Sequence, residues 1–166
     1  MAEGIALSSA IIAAIGLFFA GYQLLQFRKD RKREHDLEIQ GVCASWRPIS
    51  NPRDSDVRDG LAVWRYAIDV HNPGKFPINW VKVTMSFPVE FARLRGNTRT
   101  ESGKELVVHQ PVIAGGAHRT WERRLEMQWD EATDERLAAI AADVTFVDIQ
   151  GRRQHTHWPR AKKTDD

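Results

Sequence analysis

The sequence predicts a mainly β protein, an antiparallel β-sandwich carrying one short helix and preceded by a single N-terminal transmembrane helix. Three observations carry that expectation. An uncharged run opens the chain; alternating apolar and polar residues then recur in seven or eight short stretches; and turn residues punctuate those stretches at fairly even spacing. With 166 residues, there is room for one ordinary domain and an appendage, and a large multidomain enzyme is excluded.

After a short tail, residues 1–3, the run 4–27 contains no charged side chain. At 1.5 Å per residue its 24 positions span about 36 Å, enough for a hydrocarbon layer of about 30 Å. A buried core helix would be shorter and striped with polar residues, and a cleaved signal peptide would open on basic residues rather than Met-Ala-Glu. The basic juxtamembrane segment, 28–36, places Arg28, Lys29, Arg31, Lys32 and Arg33 directly behind the run. Cations there set topology and meet anionic headgroups, so the expectation is a plasma-membrane protein with its N-terminus outside and its C-terminal domain cytoplasmic. Ser9, Ala13, Gly16 and Ala20 form a row of small residues at helical spacing, suited to helix–helix packing and to homo-oligomers.

The domain is expected over 37–158. Leu37, Ile39, Gly41 and Cys43 alternate with Glu38, Gln40 and Val42 as a first strand ending near Trp46, and 47–60 reads as a Pro- and Asp-rich loop. Residues 61–71 put Trp64, Tyr66, Ile68 and Val70 on one face, residues 72–75 turn, and 78–87 return with Val81, Val83, Met85 and Phe87 aligned. A weaker strand passes Phe91, Arg93 and Arg95 before a polar loop at 96–103. Strands follow at 105–109 and 120–127, a helix of two or three turns within 129–141, and a hairpin of 143–149 and 152–158 about Gln150-Gly151. The charged tail 159–166 reads as disordered.

Residues 70–83, with Val70, Asn72, Gly74, Pro77, Ile78, Val81 and Val83 in place, resemble the V-x-N-x-G-x-x-P-I-x-x-V-x-V corner of immunoglobulin-like bacterial domains. The segments 112–116 (VIAGG) and 144–153 (VTFVDIQGRR) resemble two further signatures of that group. Together they are similar to uncharacterised actinobacterial-type single-pass membrane proteins with an N-terminal anchor and an Ig-like sandwich. One departure is Gln154, where those proteins tend to carry an aromatic. The resemblance implies fold and location, and no activity.

Chemistry is sparsely signalled. The chain has 24 Lys and Arg against 22 Asp and Glu, and residues 37–166 hold 19 cations and 18 anions, so no nucleic-acid partner is expected. The single cysteine, Cys43, cannot form an intrachain disulfide and sits at a strand position suited to a small buried hydrophobe. His155 and His157, two apart on the last strand, could ligate a metal with His109, His118 or Asp148, but an edge strand with polar residues explains them equally. No phosphate loop, nucleophile elbow or zinc-protease motif is present, so neither a catalytic group nor a cofactor is assigned. Of six tryptophans, Trp64 and Trp121 belong to apolar faces, whereas Trp46, Trp80, Trp129 and Trp158 fall near strand ends or on the opposite parity, where an aromatic either packs at the core and its margin or anchors a protein partner, Trp80, Trp129 and Trp158 being the partner candidates. Three functions are therefore expected in order: a non-catalytic, membrane-anchored module for protein–protein interaction; a subunit packed through the small-residue row; and a metal or enzymatic domain using the strand histidines.

Overall fold

The computed structural model describes residues 2–158 apart from 51, 54, 55, 97 and 130–138, and of residues 2–15 and 101 it describes the backbone alone. The chain forms two compact units, Met1–Leu37 and Glu38–Asp166. The first consists of most of helix α1, Ala2–Gly41. Seven strands follow: β1 Cys43–Ser50, β2 Leu61–His71, β3 Ile78–Arg95, β4 Thr98–Ile113, β5 His118–Gln128, β6 Ala141–Val147 and β7 Arg153–Trp158.

The helix corrects the expected membrane span. Among the described residues no helix is long and apolar enough to cross a membrane. Ahead of the first cation, Arg28, the polar side chains of Tyr22, Gln23 and Gln26 interrupt the apolar stretch. The transmembrane assignment of 4–27 is therefore not supported. The single-pass plasma-membrane location and the membrane as partner fall with it. The cations expected to set topology and meet lipid are Arg28, Lys29, Arg31, Lys32 and Arg33. These five cations line an exposed stretch of α1, where Arg31 lies 4.6 Å from the centre of the Phe27 ring.

The helix also runs past the start of the first expected strand. Alternation over only Leu37, Ile39, Gly41 and Cys43 is too short to separate the two periods. The helix ends at Gly41, where the Val42 N–H donates to the Ile39 carbonyl at 3.1 Å. A Cβ at position 41 would lie 2.7 Å from the Pro73 ring, so only glycine permits this approach.

All the strand pairs are antiparallel, in the order β1-β2-β5-β3-β6-β7, with β4 added on β3. This corrects the sandwich: the strands form one curled, half-barrel sheet. The physical reason lies in β3. Its first half pairs with β4 and β6, Val83 meeting Val108 and Val144; its second half pairs with β4 and β5, Phe91 meeting Gly103 and Met127. The ladder shifts between Ser86 and Phe91, where Pro88 has no N–H to contribute, and the strand bends without ending. Hydrogen bonding thus continues round the bend where a sandwich would separate two sheets.

Alternate residues fill the concave side. Trp64, Ile68, Met85, Leu106, Leu125 and Phe146 are essentially inaccessible, and Phe87 stacks edge-on against Phe91 at 4.8 Å inside the bend. The two margins of the sheet approach each other, because the Trp158 indole on β7 donates to the carbonyl of Val42, next to β1, at 3.2 Å. Two expected loops are strands. β1 reaches Ser50 because an edge strand tolerates Pro48. Residues 98–103 pair with the end of β3 across a turn in which Gly96 has φ +64°. The expected helix within 129–141 falls largely on 130–138, and the tail on 159–166, both outside the described residues.

Candidate functional site

Two neighbouring features at one end of the sheet are built on opposite principles, and the first is a locked corner. Asn72, only 1% exposed, closes β2. Its side-chain amide donates to the carbonyls of Phe76 at 2.9 Å, Ala114 at 3.1 Å and Ile113 at 3.2 Å, and its oxygen accepts the Gly74 N–H at 3.2 Å. The Asn72 N–H donates to the Ala117 carbonyl, and the Gly116 N–H to that of Gly74, both at 2.9 Å. A Cβ on Gly115 would stand 2.3 Å from the Lys75 carbonyl oxygen. The segments 70–78 and 112–117, far apart in the chain, thus interlock through a buried amide and a glycine, and the role of this pair is architectural.

The β6–β7 turn is equally self-contained. Asp148, 4% exposed, accepts the N–H groups of Gln150 at 2.8 Å and Arg152 at 2.9 Å, the Gln154 amide at 2.9 Å and the Arg152 guanidinium at 3.1 Å. Burial pushes its carboxyl pKa upward, but these donors outweigh it and bring the value down to about 2. Gly151, at φ +75°, supplies the turn. Asp148, expected as an optional metal ligand, instead organises the hairpin.

The Trp80 surface is the second feature. Along β3 the β6 register passes from Asn79 opposite Val147 to Lys82 opposite Thr145, so Trp80 and Val81 together face one residue, a β-bulge. Trp80 sits there at φ +52° and is 76% exposed. An aromatic residue in the left-handed region costs of order 1–2 kcal/mol. Trp80 overlooks a groove of 710 Å³, whose walls include Pro111 and Val147 beside Lys82, His109 and Arg153.

The three tryptophans expected at a partner surface therefore separate. Trp80 stands in the open. Trp129 packs on Trp64 with ring centres 5.7 Å apart, its N–H bonded to the Gly60 carbonyl at 2.9 Å. Trp158 closes the sheet margins. Of the small-residue row, Gly16 and Ala20 are exposed on α1, and the side chains of Ser9 and Ala13 lie outside the described residues. Cys43 is half-buried on β1.

His155 and His157 do converge, on a carboxylate. Asp143 Oδ1 is 2.8 Å from Nε2 of His155 and 3.0 Å from Nδ1 of His157. The His157 hydrogen bond is the main influence holding the Asp143 carboxyl below its usual range, against its partial burial, with His155 helping. Among the described residues no three His, Cys, Asp or Glu side chains are placed to hold a metal ion.

One assembly was missed from the sequence. Arg65, Arg93, Arg95, Arg123 and Arg124 line a cleft of 940 Å³ where β5 and β3 part. The clue was the i, i+2 repeat of Arg93 and Arg95, but which strand stands beside it is a matter of topology.

No protein-family model and no curated protein sequence matches the chain. Among solved structures, an exo-β-N-acetylglucosaminidase of family GH20 from Vibrio harveyi is similar at 16% identity and TM-score 0.43, over 70% of this chain and 17% of the glycosidase. The structural-genomics target SoR45 is similar at 12% identity and TM-score 0.38, over 73% and 83% of the two chains. The sporulation control protein Spo0M from Bacillus subtilis follows at 10% identity and TM-score 0.31, over 70% and 46%. The chain thus spans less than a fifth of the glycosidase, and likenesses this low carry no activity across.

Proposed function

We propose that this chain is a non-catalytic interaction module that docks a protein partner on the Trp80 groove. The observation that carries the reading is the exposed indole held at φ +52°. Strain that packing does not require is retained where a side chain must be presented, and a large rigid aromatic is the commonest anchor of a protein interface. The groove also selects. Pro111 and Val147 offer apolar wall, while Lys82 and Arg153 favour a partner segment with an apolar side chain flanked by carboxylates.

The test uses the full-length protein with a photocrosslinking residue at Val112, whose neighbour across the β3–β4 ladder is Asn79, adjacent to Trp80. In cells of the source organism a discrete protein adduct is expected, and Trp80→Gly should abolish it while the far-UV spectrum stays unchanged. An adduct of equal yield in the Trp80→Gly protein would remove the proposal.

A further inference from the structure

The arginine cleft lies at the opposite end of β3 from the Trp80 groove and has its own logic. The β3–β5 ladder ends at Leu94 opposite Arg124. Beyond that pair β5 continues along β2 alone, with Tyr66 opposite Arg123, and β3 turns away at Gly96. Alternation sets Arg123 on the same face as the buried Leu125, and Arg93, opposite Leu125, on that face too. The concave side of the sheet, apolar elsewhere, therefore ends here in guanidinium groups.

Among the described residues that line the cleft, charge is one-sided. Glu122 is the carboxylate among the lining residues, and it is held by Arg65 at 3.0 Å. Along the described lining one carboxylate thus stands among five arginines. Arg124 is fixed by a 2.8 Å bond to the Gly96 carbonyl, and one amino group of Arg123 by a 2.8 Å bond to the Glu122 carbonyl. The Nε of Arg123 is buried without an acceptor among the described residues. Burial, and after it the neighbouring Arg93 charge, lower the Arg123 pKa, the mark of a cation placed at a cost.

We propose that this cleft binds a phosphate monoester or diphosphate group, with Arg93, Arg95 and Arg123 as its principal ligands. A single carboxylate brings one charge and two oxygens, whereas a phosphate brings about two charges and three strong acceptors, which suits several converging forks. All five cations are arginines, the residue whose planar fork binds such oxyanions in pairs of hydrogen bonds.

The group could arrive on a small molecule or on a phosphorylated side chain, and calorimetric titration of the full-length protein separates the two. The probes are inorganic pyrophosphate, a phosphoserine peptide, the same peptide unphosphorylated, and its aspartate counterpart. Binding of a phosphate-bearing probe is expected. A tighter fit for pyrophosphate assigns the site to small molecules; a tighter fit for the phosphoserine peptide assigns it to a modified protein. Arg123→Lys, which keeps the charge and loses the fork, and the exposed Arg95→Ala should each weaken binding at least tenfold with an unchanged melting temperature. Should Arg123→Lys fail to fold, Arg95→Ala decides alone. No binding of either phosphate probe at millimolar concentration, binding indifferent to Arg95→Ala, or an aspartate peptide that binds as tightly as the phosphoserine peptide would each overturn the proposal.

Discussion

The corner at Asn72 and the bulge at Trp80 lie eight residues apart, yet they treat their side chains in opposite ways. At the corner a polar amide is wholly buried and every hydrogen-bonding atom of its side chain is engaged. At the bulge an apolar ring faces solvent on a backbone that disfavours it. Burial with full satisfaction stabilises the fold, whereas exposure with strain works against it. The contrast distinguishes residues that hold this molecule together from those it presents.

Substitutions can break that contrast in order of size. Gly115→Val should be the most damaging, at about 4 kcal/mol, because the new side chain collides with the Lys75 backbone, which cannot swing aside. Urea denaturation measures the loss; a change under 1 kcal/mol would show that the two turns do not interlock. Asn72→Ala follows at about 3 kcal/mol, since it strands the buried carbonyl of Ile113 and the part-buried carbonyls of Phe76 and Ala114. Both changes open one contact, so the double variant should lose less than the sum.

Asp148→Asn should cost about 2 kcal/mol at pH 7. That figure follows from a carboxyl pKa of about 2 in the folded chain against an ordinary 3.8, at about 1.4 kcal/mol per unit. Because the folded value is the lower, this stabilisation is complete above about pH 4 and fades as the pH falls through 2. The wild-type and Asp148→Asn stabilities should therefore converge over that window, and a gap that is constant from pH 5 to pH 2 would contradict the assignment. The smallest effect has the opposite sign. Trp80→Gly relieves the left-handed strain and should raise stability by about 1 kcal/mol in thermal unfolding. A clear loss instead would mean that the indole contributes to packing.

Much of the β framework was legible because burial imposes a two-residue period. The run from Trp64 to Val70 and the run from Val81 to Phe87 face the interior as their alternation requires. The corner was legible as well, since asparagine, proline and glycine at 72–74 limit what the backbone can do. Misreadings arose where the pattern was short or wet on both sides. Four alternating residues at 37–43 did not distinguish the end of a helix from a strand, and residues 98–103 form a hairpin with no buried face to announce it. The uncharged opening run suggested a span, but among the described residues no helix is long and apolar enough to make one.

The candidate surfaces show the same division. Trp80, Trp129 and Trp158 look alike in the sequence, and only packing decides that Trp129 stacks on Trp64 and Trp158 ties the margins of the sheet. His155 and His157 are paired by strand spacing, but the Asp143 between them comes from the neighbouring strand.

By itself the sequence determined the inward-facing runs 64–70 and 81–87, the turn at 72–74 and which side chains are apolar enough to be buried, because these follow from local sterics and transfer from water. Only the tertiary structure decided that β3 carries the sheet round a bend into one curled surface, that Trp80 is pushed outward at a bulge, and that arginines from three strands meet at one cleft. Those outcomes depend on register and on contacts between distant segments, and a side chain gains or loses its partners there according to which strand lies beside it.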